Sequence, residues 1–181
     1  METLTQHLRH NFLLRWVLAN VVGWTVGLYA GALNPLCFII AGLTACICVG
    51  AAQWYILRPR VGTDWIVATV IGGLCGTFPV LFAGLLVFFG SAWVGGCSGL
   101  FFGGAVGLAQ WLILKRGSGQ AAWWIAANAG GGLLCGLLTL VSLIPGLPIG
   151  LIVGAAAYGY ITGRTLLWLS AQPAPSLPQP T

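Results

Sequence analysis

Long apolar stretches with almost no charges alternate with short turns along nearly the whole chain. A helix that crosses the hydrocarbon core of a bilayer needs about 20 mostly apolar residues. Six stretches approach or exceed this length: residues 12–33, 36–57, 65–89, 92–114, 121–143 and 147–163. They lack the alternation of polar and apolar positions that a membrane β-barrel requires. The pattern therefore predicts an all-α membrane protein with six transmembrane helices.

The first helix of each successive pair opens with a shared motif. The motif starts at Trp16, Trp65 and Trp124, in the segments WVLANVVGW, WIVATVIGG and WIAANAGGG. A small polar residue follows each tryptophan by four positions and a glycine follows by seven, and both spacings lie on one helical face. The polar residues are Asn20, Thr69 and Asn128. This repetition predicts three related units.

The second helix of each pair closes with a motif that contains a Gln-Trp pair. It reads GAAQWYIL in the first unit and GLAQWLIL in the second, and a degenerate third copy reads GAAAYGYI. In this alignment Ala157 takes the place of Gln53 and Gln110. The same alignment matches Arg164 with Arg60.

Each unit contains two helices, so successive units keep one orientation and are related by an axis along the membrane normal. The units are predicted at about 12–57, 65–115 and 121–169, within a six-helix transmembrane domain of residues 12–169. A polar N-terminal segment, 1–11, precedes this domain, and a Pro-rich tail, 170–181, is predicted to be disordered. The expected architecture is a quasi-threefold bundle.

Glycines with glycine-zipper spacing predict close contacts between the helices. They are Gly23 and Gly27 in the first helix, Gly72 and Gly76 in the third, and Gly95, Gly99, Gly103 and Gly107 in the fourth. Small residues four positions apart allow helix backbones to approach closely in a membrane. The spacing favours a tightly packed bundle over a glycine-lined pore.

Composition and charge agree with a membrane location. The chain is 59% hydrophobic and only 5% charged, with a mean hydropathy of +0.97. A water-soluble surface needs more charge than this. The seven Lys and Arg residues all fall on one predicted face, and the turns on the other face are uncharged. Because such cations remain in the cytoplasm, both termini are predicted to be cytoplasmic. The partner of these cations is an anionic bilayer surface rather than a nucleic acid.

Amide side chains recur at one depth of the predicted bundle. Asn20, Gln53 and Gln110 each lie five residues from a cation, which is about 7 to 8 Å along a helix. Seven of the nine tryptophans lie near the same face and suggest an interfacial aromatic belt; they are Trp16, Trp54, Trp65, Trp111, Trp123, Trp124 and Trp168. One interpretation is that the amides hydrogen-bond to other helices or to indole N–H groups. The other is a polar vestibule or a ligand site, with oxygen atoms for a pigment's magnesium, formed by Asn20, Gln53, Gln110, Asn128, Trp54 and Trp111.

The distribution of ionisable residues argues against catalysis and ion-coupled transport. None lies within a predicted membrane core, although proton relays and coupled carriers ordinarily need such groups. The only acidic residues are Glu2 and Asp64, which do not form an acid-base pair. The only histidines, His7 and His10, lie on the polar N-terminal segment and are too few for a predicted metal site. We therefore expect no catalytic residue, no metal site and no enzyme activity.

The segments AQWLILK and WWIAAN resemble those of small multi-pass membrane proteins common in cyanobacteria, which repeat similar Gln-Trp-Leu and Trp-x-x-Ala-Asn motifs. The resemblance covers nearly all of the chain except the tail. It implies a location in the plasma membrane or the thylakoid membrane, and it implies no particular activity.

Three functions are compatible with these features. The first is a non-catalytic scaffold or assembly partner that packs on other membrane helices, or on a second copy of itself, through its glycine faces. The second is a protein that binds an apolar cofactor such as chlorophyll, a carotenoid or a quinone between its helices, although no cofactor is required by the sequence. The third is uncoupled passage of a small neutral solute or lipid along the axis.

Overall fold

Six α-helices account for most of the chain in the computed structural model, which describes residues 2–32, 38–58, 60–87, 92–115, 120–141 and 149–172. The helices are α1 Glu2–Ala32, α2 Phe38–Leu57, α3 Asp64–Val87, α4 Ala92–Leu114, α5 Trp123–Val141 and α6 Ile149–Ser170. These described residues include no strand. The predicted all-α fold with six helices is therefore confirmed. The predicted uncharged turns, and the tail beyond residue 172, lie outside the described residues.

Helix α1 begins at Glu2, whereas the apolar pattern predicted a start near residue 12. Hydropathy identifies only the part of a helix that is apolar enough to lie in lipid. The preceding segment contains several good helix formers and neither glycine nor proline, so the helix continues through it. Helix α6 likewise extends to Ser170, beyond the predicted end near residue 163.

The six helices form a closed ring. Each helix contacts the one before it and the one after it in the chain, and α6 contacts α1. Neighbouring helices are antiparallel, because Gly23 of α1 faces Val49 of α2 while Gly27 faces Ala45. The start of each odd helix and the finish of each even helix therefore share one end of the ring. We refer to this as the cation end, which carries Arg15, Arg58, Arg60 and Lys115.

Glycines bring the helix backbones together within the ring. All eight glycines predicted to pack helices lie at contacts between helices: Gly23 and Gly27 against α2, Gly72 and Gly76 against α4, and Gly95, Gly99, Gly103 and Gly107 against α5. A methyl group on Gly72, for example, would lie 2.6 Å from Val106 Cα. These glycines are thus occupied by the chain's own helices, and they offer no glycine face to a partner.

The outside of the ring is apolar, and several polar side chains are inside it. Leu14, Leu18, Val22 and Val26 form an exposed row along α1, and exposed large apolar side chains occur on all the other helices. By length and composition, one described segment, Trp93–Leu114 of α4, is suited to cross a membrane. Two shorter apolar helical segments are Gly42–Leu57 and Asp64–Thr77.

Candidate functional site

Three tryptophans from the odd helices meet inside the ring near the cation end. Trp16, Trp65 and Trp124 are each 0% exposed. The ring centroids of Trp65 and Trp124 lie 5.9 Å apart, and those of Trp16 and Trp124 lie 6.4 Å apart with an edge-to-face geometry. Helices α1, α3 and α5 are not neighbours in the ring, so their side chains meet across its interior. The indoles therefore fill the axis of the bundle at this level.

The residue four positions after each tryptophan bonds back to the carbonyl oxygen of that tryptophan. The donors are Asn20 Nδ2, Thr69 Oγ1 and Asn128 Nδ2, each 2.8 Å from the oxygen. All three side chains are buried. This local bond holds the polar side chain in one orientation. The side-chain oxygen of the Asn or Thr is then available to accept a hydrogen bond from the following even helix.

Gln53 joins the first and second units. Its Nε2 donates to Asn20 Oδ1 at 2.9 Å, within the same unit. Its Oε1 accepts from Trp65 Nε1 at 3.1 Å, at the start of the next unit. A single amide therefore satisfies the indole N–H of one odd helix and the amide oxygen of another.

Gln110 makes the same pair of contacts one unit later. Its Nε2 donates to Thr69 Oγ1 at 2.8 Å, and its Oε1 accepts from Trp124 Nε1 at 3.1 Å. Its Nε2 also lies 3.3 Å from Gln53 Oε1, so the two glutamines are joined directly across the interior. The hydrogen bonds continue from one unit to the next.

The third unit closes the network with two residues in place of one glutamine. Thr162 Oγ1 accepts from Trp16 Nε1 at 3.0 Å and donates to the carbonyl oxygen of Tyr158 at 2.8 Å. The Tyr158 hydroxyl donates to Asn128 Oδ1. The Thr162 side chain accepts the hydrogen bond from the Trp16 indole but makes none to Asn128. The longer tyrosine, one turn earlier, bonds to the asparagine instead.

Helix contacts establish the register of the third unit. Equivalent glycines three residues before Gln53, Gln110 and Thr162 face the polar residue of the following odd helix; they are Gly50 against Thr69, Gly107 against Asn128 and Gly159 against Asn20. Thr162 is thus the counterpart of the two glutamines. The sequence alignment that placed Ala157 there is wrong, and so is its match of Arg164 with Arg60. Helix α6 is rich in Gly, Ala and Tyr. Residue-by-residue similarity therefore aligned the Gln-Trp motif with a segment that lies more than one helical turn too early.

The four amides predicted as ligands are brought together but are already engaged. Asn20, Gln53, Gln110 and Asn128 are all buried, and each side-chain oxygen accepts a hydrogen bond from another side chain. This arrangement is the one expected from amides that bond to other helices and to indoles. It does not form a vestibule, and a pigment's magnesium would displace bonds that each contribute about 0.6 to 1.7 kcal/mol.

Trp54 and Trp111 lie outside this hydrogen-bonded network. Both are half-buried and pack against the cluster of buried residues that contains the three central indoles. The Lys115 ammonium lies 4.9 Å from the centroid of the Trp111 ring, and the Arg58 guanidinium lies 4.5 Å from that of Tyr55. Aromatic rings with cations beside them are typical of a membrane interface.

Sequence reasoning missed two members of the network and misinterpreted three others. Thr162 and Tyr158 were not identified because the third copy was misaligned. Trp16, Trp65 and Trp124 were expected in an interfacial belt, and the structure buries them inside the ring. The signal that distinguishes them is the inward-facing Asn or Thr four residues later, which Trp54 and Trp111 lack.

Two buried polar atoms remain without a hydrogen-bond partner among the described residues. They are Trp24 Nε1 and Thr25 Oγ1, further along α1 from the cation end. The Trp24 ring packs against Phe102 of α4, with centroids 5.4 Å apart. Because α1 and α4 are not neighbours in the ring, this contact also crosses the interior.

The described residues contain no group of three or more His, Cys, Asp and Glu side chains that could hold a metal ion. Comparison with protein-family models, with curated proteins and with solved structures finds no match.

Proposed function

We propose that this protein is a non-catalytic integral membrane protein whose six helices span the bilayer and act as a scaffold or assembly partner for other membrane helices. The observation that carries the proposal is an inverted distribution of polarity. Amides such as Gln53 and Gln110 are buried, while residues such as Leu18, Val22 and Val67 are about half exposed. A protein in water exposes its amides and buries its large aliphatic side chains.

A bilayer gives this distribution a physical reason. Lipid does not hydrogen-bond to the helices, so polar side chains must find partners inside the protein. The closed network around Trp16, Trp65 and Trp124 provides such partners. The cation end then lies at the cytoplasmic surface, with both termini in the cytoplasm. The resemblance of the motifs favours a bacterial plasma membrane or a thylakoid membrane.

A scaffold role fits the packed interior better than passage or amide-based ligand binding does. The three central indoles fill the axis near the cation end, and the contact between Trp24 and Phe102 crosses it again further along. This packing does not support passage of a solute along the axis. The chain's outward surfaces, rather than the eight glycines at its helix contacts, are left to contact partner helices.

The first experiment tests membrane insertion and partner binding separately. Native membranes are washed with alkaline carbonate, and the protein is then solubilised in a mild detergent and analysed by native electrophoresis with cross-linking. We expect the protein to remain in the membrane after the wash and to migrate with other membrane subunits. Release by carbonate would contradict the membrane proposal.

The scaffold proposal alone would fail if the inserted protein migrated without partners and if its deletion changed no membrane complex. A double substitution on α1, Leu18→Trp and Val22→Trp, enlarges the outward surface without touching the network. The matched control on α3 is Val67→Trp with Ile71→Trp. If one double variant loses its partners and the other keeps them, the docking surface lies on the helix that was substituted in the first.

A second candidate, binding of an apolar cofactor, is favoured by one observation. The N–H of Trp24, which has no acceptor among the described residues, lies inside the ring and could donate to the carbonyl of a quinone or a keto-carotenoid. We expect such a ligand to be extracted in stoichiometric amount from the wild-type protein and to be lost from Trp24→Phe. It should persist in Trp93→Phe, because Trp93 is on the outside. A colourless preparation without extractable quinone would contradict this candidate.

A further inference from the structure

A groove of about 620 Å³ lies on the outside of the ring between α5 and α6. Trp123 and Ala126 of α5 line one side, and Arg164 and Trp168 of α6 line the other. Arg164 and both tryptophans are exposed. The groove therefore combines a cation, two indoles and an apolar floor on the surface that faces lipid in the proposed membrane orientation.

The apolar floor is peculiar to the third unit. Two positions after the central tryptophan, the first two units expose Leu18 and Val67, whereas the third has Ala126. Four positions later, the corresponding residues are Val22, Ile71 and Gly130. Apart from the adjacent residues and the local backbone of α5, no atom of the described residues lies within 4 Å of the place where a Cβ on Gly130 would be. Small residues thus leave open space along α5 where the other units carry large side chains.

The cation in the groove is also peculiar to the third unit. With Thr162 as the counterpart of the glutamines, Arg164 corresponds to the uncharged Tyr55 and Leu112. Arg58 and Lys115 each follow those counterparts by three residues. Arg164 therefore lies about 4 to 5 Å deeper in the bundle than they do. A counter-charge stabilises a cation at that depth of a membrane.

The chain itself has few groups that could supply this counter-charge. Its only acidic side chains are those of Glu2 and Asp64. Asp64 directly precedes Trp65, so it occupies in the second unit the place that Trp123 occupies in the third. It therefore belongs to a different side of the ring. Glu2 lies eleven residues, about 16 Å along α1, before Leu13, which faces Gly163 beside Arg164. A negatively charged group from the lipid is therefore the available partner.

We propose that the groove between α5 and α6 binds one anionic phospholipid, whose phosphate contacts Arg164 and whose acyl chain lies over Ala126 and Gly130. This inference rests on the membrane location proposed above. A guanidinium forms charge-assisted, bidentate hydrogen bonds with phosphate. Exposed indoles such as Trp123 and Trp168 favour the headgroup level of a bilayer. Basic pockets between helices on the cytoplasmic side suit anionic headgroups.

Native mass spectrometry of the detergent-solubilised full chain tests this site. Dioleoylphosphatidylglycerol is titrated against dioleoylphosphatidylcholine, and the lipids retained per protein are counted. Two variants restore residues of the other units: Arg164→Leu copies Leu112, and Ala126→Leu copies Leu18. Arg60→Leu is the control, because it removes an exposed cation of the same end outside the groove.

We expect one tightly held phosphatidylglycerol in the wild-type protein and in Arg60→Leu. Arg164→Leu should weaken the binding of phosphatidylglycerol by about five- to tenfold. This is the contribution expected from one cation near the membrane surface, or somewhat more. Ala126→Leu should weaken retention of both lipids, because the leucine side chain occupies the space over the apolar floor of the groove. Equal retention by wild type and Arg164→Leu, or equal losses in Arg164→Leu and Arg60→Leu, would overturn the lipid site. Those results would leave the membrane proposal intact, since that proposal fails only if carbonate releases the protein.

Discussion

The indole nitrogen of Trp16 donates a hydrogen bond of 3.0 Å to Thr162 Oγ1, which lies 146 positions later in the chain. This bond connects the first helix to the last and completes the cycle that Gln53 and Gln110 begin. Trp16 thus donates to a threonine, whereas Trp65 and Trp124 donate to the longer side chains of glutamines. The contact makes the ring continuous in hydrogen bonding as well as in packing.

Removing the acceptor at this junction should destabilise the whole ring. In Thr162→Val the side chain keeps its size but leaves the buried Trp16 indole unpaired, so we expect unfolding to become easier by about 1 to 3 kcal/mol. The measurement is a denaturing-detergent titration followed by tryptophan fluorescence. Thr165→Val is the control, because the Thr165 hydroxyl bonds to the carbonyl of Ile161. Equal effects of the two substitutions would contradict the role assigned to Thr162.

The two glutamines should be energetically coupled, because Gln110 Nε2 lies 3.3 Å from Gln53 Oε1. We expect Gln53→Leu and Gln110→Leu each to destabilise the protein by about 1 to 3 kcal/mol for every buried group left unpaired. A double-mutant cycle should give a coupling of about 0.5 kcal/mol or more. Strictly additive effects would show that the glutamines act in separate networks.

Glycines inside the ring and outside it should respond differently to an added methyl group. Gly72→Ala places that group 2.6 Å from Val106 Cα, and we expect a loss of about 1 to 3 kcal/mol from forced separation of α3 and α4. Gly130→Ala adds its methyl group to open space, and should be neutral or slightly stabilising. Thermal unfolding in detergent measures both, and equal losses would contradict the assigned packing.

Two inward tryptophans differ in what their N–H groups do. Trp65 donates to Gln53, so Trp65→Phe should lose about 1 to 3 kcal/mol from the lost hydrogen bond and the smaller ring. Trp24 has no acceptor among the described residues, so Trp24→Phe should cost less in protein purified free of ligand. Chemical unfolding of the two variants gives the comparison. A larger loss in Trp24→Phe would reveal an acceptor that the described residues do not show.

The repeat made much of the site predictable. A polar residue four positions after Trp16, Trp65 and Trp124 marks the inward face of each odd helix, and the glutamines recur at one depth. These patterns are local, so they can be identified without knowing how the units meet. The role of Thr162 was not predictable in this way, because threonine and glutamine share no obvious similarity. Only the contact between α6 and α1 makes them equivalent.

Patterns within the amino-acid sequence were sufficient to predict the helical class, the approximate helix positions, the two-helix repeat and the glycines that lie at helix contacts. Hydropathy and small-residue spacing depend on neighbours within one helix, and they are therefore local properties. Four features are visible only in the folded chain: the ring closes, three indoles fill its axis, the amides are engaged in hydrogen bonds, and Arg164 lies in a groove. Each of these depends on which atoms from distant segments come within hydrogen-bonding or van der Waals distance, and packing of the complete ring sets those distances.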